Sequence, residues 1–137
     1  MGIGPHEEVT GRILKCAFLV QNTLGCGFLE KVYENAMVVA MQREGLAVRQ
    51  QVPLRVHFLD ELVGDFFADI LVEGAVVVEI KATELNPPIH AAQVLNYLKA
   101  SGLPVGLLLN FGCPKLYYRR LRLRCTDASD SGGDAGD

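Results

Sequence analysis

The run AVVVEIKA, residues 75–82, constrains the fold more than any other part of the chain. Three valines precede Glu79 and an isoleucine follows it, which is typical of a strand buried on both faces of a sheet. Such a strand lies inside a sheet whose two faces are both covered. The same region nevertheless carries Asp69, Glu79 and Lys81, and an apolar interior strongly disfavours charged groups. These charges therefore belong either to a working site or to a solvated edge.

Helical and strand patterns surround this run. Apolar residues at helical spacing predict helices over residues 7–22 and 28–44, and Asn86 as N-cap before Pro87 predicts a third helix ending at Ser101. Strand-like segments cover residues 46–59, 62–72, 75–82, 104–111 and 115–124. The order ααβββαββ indicates an α/β fold with a mixed β-sheet flanked by helices.

The composition limits the classes of protein to which the chain can belong. Half of the 137 residues are hydrophobic, yet no run approaches the ~20 apolar residues that cross a bilayer, and the first ten residues lack the regions of a signal peptide. We expect a single domain over residues 1–125 and a disordered acidic tail over residues 126–137, which contain four Asp and no base. A cytoplasmic protein with no membrane partner is the expectation.

The cysteine pattern does not indicate a metal cluster. Cys16, Cys26, Cys113 and Cys125 include no CxxC pair, so the spacings of zinc and iron–sulfur sites are missing. We expect reduced structural thiols.

The length of the loop between the second and third strands decides whether the charges can meet. A two-residue loop would pair Asp69 with Val78 and put Glu79 on the opposite face. A three-residue loop over residues 72–74, with Gly74 in the left-handed conformation, would place Asp69 opposite Val77. Glu79 and Lys81 would then share its face, and we predict this odd-length loop.

Two carboxylates beside an ammonium suit metal-assisted cleavage of a phosphodiester. Hard oxygen ligands hold Mg²⁺, which polarises the phosphate and acidifies bound water, while a lysine can neutralise charge that develops on phosphorus. The alternative is a salt bridge between Lys81 and a carboxylate on a solvent-exposed face. The spacing alone leaves both interpretations open.

Two motifs resemble a known group of nucleases. Asp69 followed by Glu79 and Lys81 resembles the core of the PD-(D/E)xK nuclease superfamily, and GFLEKVY at residues 27–33 is similar to the signature of the GxxExxY protein family within it. The resemblance extends over residues 7–124. It implies a restriction-endonuclease-like fold and a nuclease that depends on Mg²⁺ or Mn²⁺. We expect DNA as its substrate, although the sequence itself does not distinguish DNA from RNA.

A third motif narrows the resemblance. Gln93 and Tyr97 in QVLNY fit the QxxxY motif of the RecB-like branch of these nucleases, which implies that both residues border the active site. The sequence departs from the GxxExxY pattern at two positions, because Gln21 stands where His is common and Cys26 replaces the usual Pro. The first departure removes a candidate auxiliary metal ligand. The alternative function is a catalytically weak or inactive module that binds nucleic acid or a partner.

The resemblance also implies a role for each site residue. Asp69 and Glu79 correspond to metal ligands, and the backbone carbonyl of Ile80 often completes the metal shell in such folds. Glu30 corresponds to a helix-borne acid near the metal, and Lys81 to the catalytic lysine. A chain of this length would obtain strong sequence specificity from its loops, a homodimer or a partner protein.

Simpler explanations exist for several of these residues. Glu30 is predicted in the first turn of a helix, where any acid complements the helix dipole. Gln93 and Tyr97 are four residues apart, which places any such pair on one helix face, and His90 is typical of a surface residue. The segment 115–124, with five basic residues, fits either a phosphate-binding rim or an edge strand protected by charge.

Overall fold

The computed structural model describes residues 6–123, which form a five-stranded sheet between two helical layers. The elements are α1 (Glu7–Leu24), α2 (Glu30–Arg43), β1 (Val48–Phe58), β2 (Glu61–Val72), β3 (Val76–Lys81), α3 (Pro88–Ser101), β4 (Val105–Asn110) and β5 (Tyr117–Leu121). Their order confirms the predicted ααβββαββ arrangement and the α/β class. The predicted acidic tail, residues 126–137, lies outside the described residues.

The sheet has the strand order β1-β2-β3-β4-β5. The β3–β4 pair is parallel, because α3 carries the chain from the end of one strand back to the start of the next, and the other pairs are antiparallel. β3 therefore lies at the centre, and its first five residues are buried as the run AVVVEI predicts. The basic segment forms β5, an edge strand, with the chain described to residue 123.

Helices α1 and α2 cover one face of the sheet. Their apolar sides meet the even-numbered residues of β3 and the odd-numbered residues of β4 in one core. Tyr33 from α2 is fully buried there and stacks on Phe111, with ring centroids 4.9 Å apart. Its hydroxyl donates a 2.6 Å hydrogen bond to the carbonyl of Gly25 and so secures the loop between the two helices.

Helix α3 covers the other face at very short range. Leu98 packs with Leu71 and Val77, and Val94 packs with Leu108. A side chain at Gly106 would collide with Val94, so glycine permits this close approach of β4 to the helix. This close packing of α3 on β4 fixes the position of the polar residues of α3 relative to β3.

The β2–β3 turn is odd in length, as predicted, but its register differs from the prediction. Val72 pairs with Val76, so three residues (73–75) form the loop, and Gly74 has a φ of 64°. Leu71, and not Asp69, lies opposite Val77. The prediction of a loop over residues 72–74 was wrong because Val72 is fully buried and also pairs with Val48, which keeps it in the strand.

The start of α3 also differs from the prediction. Pro87 occupies the N-cap position and Asn86 lies outside the helix, where its Oδ1 accepts a 2.7 Å hydrogen bond from Asn110. Asn110 is fully buried and also bonds both backbone polar groups of Thr83, so Asn86 serves to satisfy a buried amide. This network holds the loop between β3 and α3.

Among residues 6–123, no helix is both long enough and apolar enough to span a bilayer.

Candidate active site

The site lies where β2 and β3 part at the centre of the sheet. Their paired residues end at Ile70 and Val78, and beyond this point the backbone N–H of Ile80 donates a 2.8 Å hydrogen bond to Oδ2 of Asp69. A carboxylate thus takes the place of a strand partner. The N–H and C=O of one strand residue point to the same neighbouring strand, so the carbonyl of Ile80 faces the same gap as Asp69.

Glu79 and Lys81 stand beside this gap on the α3 side. Glu79 is 6% exposed, and its Oε1 is buried without a hydrogen-bond partner among the described residues. Nζ of Lys81 lies 4.0 Å from Oε2 of Glu79 and 3.4 Å from Oε1 of Gln93. The lysine therefore contacts both the acid and the helix, and the cluster is not a solvated surface ion pair.

The electrostatics of the site disfavour ionised carboxyl groups in the absence of a bound cation. Burial and then the charge of Asp69 raise the pKa of Glu79 to about 8, although Lys81 opposes the shift. Burial also raises the pKa of Asp69, while the hydrogen bond from Ile80 lowers it. Two carboxyl groups whose pKa values both rise are a favourable place for a cation.

Glu30 begins α2 and faces the same cluster. It is an exposed residue, yet desolvation and then the charge of Asp69 raise the pKa of its carboxyl, while Lys81 lowers it. The charges of Asp69 and Lys81 therefore both act on the carboxyl of Glu30. Its role as a metal ligand stays a prediction.

A second acid on α2, Glu34, was missed by the sequence analysis. It is 4% exposed, and its carboxylate accepts hydrogen bonds from Lys31, Gln50 and Gln51. Gln51 also reaches Oδ1 of Asp69 at 3.5 Å and so links the two carboxylates. The spacing of Glu30 and Glu34 gave a usable signal, because residues four apart share a helix face.

The backbone conformation of Gln51 explains how one residue of β1 contacts both Glu34 and Asp69. Its φ is 51°, a left-handed value that non-glycine residues rarely adopt inside a strand. Next to Asp69 the alternation of faces is interrupted, since Ala68 and Leu71 both pack on the α3 side whereas Ile70 packs on the other side. No sequence pattern predicts a left-handed backbone conformation at a glutamine.

Helix α3 brings Gln93, Tyr97 and His90 to the site. Burial and then the charges of Glu79 and Asp69 raise the pKa of Tyr97 to about 12, so its phenol stays protonated. His90 has a buried Nδ1 without a partner in the described structure, and burial and then the charge of Lys81 lower its pKa. His90 is nevertheless partly exposed, and its interpretation as a surface residue stays a prediction.

A comparison with known protein families identifies the superfamily of the chain. The family model of the PD-(D/E)XK nuclease superfamily matches residues 7–121. The chain belongs to this superfamily. No curated protein and no solved structure gave a significant match. Superfamily membership indicates a nuclease-type function with nucleic acid as partner and divalent metal as cofactor.

The two departures from the GxxExxY pattern lie in α1 and in the loop that follows it. Gln21 is buried in α1, where its Nε2 donates a 3.0 Å hydrogen bond to the carbonyl of Cys113. Its Oε1 has no partner among the described residues. Cys26 is exposed in the loop between α1 and α2. Gln21 thus connects α1 to the segment after β4, a structural role.

The residues present fit a divalent ion of the kind that PD-(D/E)XK nucleases use. The partnerless Oε1 of Glu79, the Asp69 carboxylate and the Ile80 carbonyl are oxygen donors of the kind that Mg²⁺ prefers. Within residues 6–123, no three His, Cys, Asp or Glu side chains form a ready-made cluster. A bound ion would therefore need water or substrate oxygens in its shell, which is usual for Mg²⁺.

Proposed function

We propose that this chain is a Mg²⁺- or Mn²⁺-dependent nuclease that hydrolyses phosphodiester bonds of DNA. The observation that carries the proposal is the gap between β2 and β3, where Asp69 replaces a strand partner beside a buried, partnerless oxygen of Glu79. A purely structural salt bridge would leave no buried acceptor unused, because such an acceptor is costly. A metal ion gives both carboxylates a function.

Asp69, Glu79 and the carbonyl of Ile80 would hold the ion, with Glu30 beside them as a further acid. When bound, the metal would polarise the scissile phosphate and lower the pKa of a coordinated water. Gln51 keeps Asp69 oriented from the side of α2. The fold keeps the carboxyl groups of Asp69 and Glu79 near each other, with Glu79 protonated below about pH 8 in the metal-free protein, so the site is organised before the substrate arrives.

Lys81 is the residue that we assign to the chemistry itself. Its ammonium would stabilise negative charge on the phosphate or orient the attacking water. The 3.4 Å contact with Gln93 holds the ammonium towards the gap. The phenol of Tyr97 stays protonated and can donate a hydrogen bond, and we assign it to contact with the substrate.

The finer classification is also part of the proposal. Glu30 and Tyr33 of the GxxExxY signature support that family, since one borders the acids and the other fixes the loop before α2. Gln93 and Tyr97 on the site-facing side of α3 support the RecB-like branch. The described cysteines are free thiols, which is typical of a reducing compartment such as the cytoplasm. A homodimer or a partner protein could add sequence specificity.

Substitution of the site residues separates metal binding from catalysis. Asp69→Ala and Glu79→Ala should each weaken Mn²⁺ binding and abolish cleavage of DNA, because each removes an anionic oxygen ligand. Lys81→Ala should keep or increase ion affinity while the cleavage rate falls roughly 100-fold or more, the loss typical of one preorganised charge. Calorimetric Mn²⁺ titration and single-turnover cleavage measure the two effects.

Lys15→Ala is the matched control, because Lys15 is an exposed lysine on α1 that pairs only with Glu44 among the described residues. It should leave both ion affinity and rate unchanged. Cleavage by Lys81→Ala at the parent rate would refute the assignment of this site. A parent protein that binds DNA without cleaving it in either metal would instead support the alternative of an inactive binding module.

A further inference from the structure

A groove leads away from the active site between α3 and the β1–β2 hairpin. It has a volume of about 770 Å³, and its lining includes Arg55, His57, Phe66, Gln93, Tyr97 and Lys99. Gln93 belongs to this groove and also contacts Lys81. The groove and the active site are therefore continuous through one side chain.

The charged residues of the groove all have basic side chains. Arg55, His57 and Lys99 line it and no acid does. Within residues 6–123, neither Arg55 nor Lys99 takes part in an ion pair; Asp65 is the cross-strand neighbour of Arg55 but does not line the groove. Their positive charge is available to an anionic ligand, and repeated phosphates provide such a ligand.

An aromatic pair forms part of the groove wall. Phe66 and Tyr97 stack with ring centroids 4.4 Å apart and an interplanar angle of 25°, and both remain partly exposed. A nucleic-acid base can stack on an aromatic side chain only when a face of the base is not already covered by a neighbouring base. Paired bases within a duplex already stack on their neighbours, so the wall suits an unpaired strand.

We propose that this groove binds the backbone and bases of a single-stranded polynucleotide beside the cleaved bond, with Arg55 and Lys99 on phosphates and the Phe66–Tyr97 pair against a base. The inference rests on the proposed nuclease function, because the groove gains its purpose from the site at its end. It assigns the substrate class as an unpaired strand. DNA and RNA share the chemistry that the groove would recognise.

Binding without cleavage tests the groove independently of catalysis. Fluorescence anisotropy of labelled single strands of DNA and RNA of one sequence, and of the corresponding DNA duplex, is measured with the full chain in EDTA over a range of salt concentrations. The double variant Arg55→Ala/Lys99→Ala should weaken single-strand binding roughly tenfold at ~0.1 M salt, and the slope of log K against log salt should become shallower by about 1.4. Phe66→Leu, which keeps an apolar side chain at that position, should weaken it about fivefold or more.

The matched control removes the same charge from the opposite helical layer. Lys15→Ala/Arg43→Ala changes two bases beside the cleft between α1 and α2 and should keep the parent affinity and salt slope. Unchanged binding by Arg55→Ala/Lys99→Ala, an equal loss in the control, or duplex binding as tight as single-strand binding would each overturn the proposal. Tight binding of either the DNA or the RNA strand supports it and identifies the substrate.

The two proposals can fail separately. If the groove variants bind the single strand like the parent and cleavage persists, the proposed role of the groove is refuted and the proposed nuclease function is not. Groove-dependent binding of a single strand by a protein that never cleaves in Mg²⁺ or Mn²⁺ would refute the nuclease function and leave the groove intact.

Discussion

At the scale of single residues, Glu79 makes the site sensitive to pH. Its carboxyl is buried next to Asp69, and its pKa of about 8 in the folded protein lies well above the ordinary value of 4.5. The folded state therefore holds a proton that the unfolded chain releases between these two pH values. A metal ion would displace this proton, so binding and protonation compete at one oxygen pair.

We predict that the metal-free protein loses stability as the pH rises. The contribution of Glu79 is fully present below about pH 4.5 and is lost progressively up to about pH 8, with a slope of up to about 1.4 kcal/mol per pH unit. Glu79→Gln should flatten most of this slope, because the amide does not ionise. Urea unfolding in EDTA from pH 5 to 9 measures it.

The measurement on Glu79→Gln has a control variant and an outcome that would contradict the prediction. Glu61→Gln, an exposed acid at the start of β2, should keep the parent slope. Asp69 and Glu30 also have raised pKa values, so a shallow slope should remain in Glu79→Gln. An unchanged slope in Glu79→Gln would show that its carboxyl stays ionised in the folded protein.

The site residues differ in how readily the sequence reveals them. Asp69, Glu79 and Lys81 are charges inside an apolar strand pattern, an inconsistency that is visible without coordinates. Gln51 is not visible in this way, because a left-handed backbone at a glutamine is imposed by surrounding contacts. In the observed register Ile70 pairs with Val78, so strand alternation alone puts Asp69 and Glu79 on one face, whereas the contact of Gln51 with Asp69 depends on the local irregularity.

At the scale of elements, the irregularity of β1 has two separable effects. The left-handed backbone at Gln51 destabilises the strand by roughly 1 kcal/mol or more, while its amide joins Glu34 to Asp69. We predict that Gln51→Gly unfolds at the same or higher urea concentration than the parent but cleaves DNA at least about tenfold more slowly. Glycine removes the strain and the amide together.

Gln51→Ala separates these contributions because it removes the amide and keeps the strained conformation. Its free energy of unfolding should be about 1 kcal/mol lower than that of Gln51→Gly, and it should cleave DNA as slowly as Gln51→Gly. A parent cleavage rate in both variants would show that Gln51 does not position Asp69.

The close packing of α3 on β4 gives a second prediction at the scale of elements. Gly106→Ala would push its methyl group into Val94, so the protein should lose about 1–3 kcal/mol of stability. Cleavage should also slow, because α3 carries Gln93 and Tyr97. The double variant Gly106→Ala/Val94→Ala should recover part of both losses, whereas Val94→Ala alone should destabilise by leaving a cavity. Urea unfolding and cleavage assays give the four values of this double-mutant cycle.

Element boundaries show what local patterns can and cannot specify. All eight elements were predicted in the correct order, since their apolar periodicities are strong. The β2–β3 register was wrong by two residues, because Val72 is held in the strand by contacts with β1 that the turn sequence does not encode. Asn86 was misplaced for a similar reason, since its partner Asn110 is distant in sequence.

At the scale of the whole molecule, the site joins parts that are otherwise separate. Asp69 and Glu79 come from the centre of the sheet, Glu30 from the α1–α2 layer, and Gln93 with Tyr97 from α3 on the other face. The family resemblance implies that these residues share one site, which stays a prediction, whereas the Glu34–Gln51 link and the basic groove depend on tertiary geometry. A ligand that binds at this junction should therefore stabilise the fold as a unit.

We predict that Mg²⁺ and Mn²⁺ raise the unfolding free energy of the entire chain. An ion that binds only the folded state stabilises it by RT ln(1 + [L]/Kd), which is about 2.7 kcal/mol at 100 times the Kd. Asp69→Asn should remove this response because a ligand is lost, yet the metal-free variant should be at least as stable as the parent, since one repulsive charge disappears beside Glu79. Thermal unfolding with increasing Mn²⁺ measures both effects, and Lys15→Ala should respond like the parent. A metal-dependent rise in Tm that persists in Asp69→Asn would place the ion elsewhere, and no rise in the parent protein would contradict a metal site between β2 and β3.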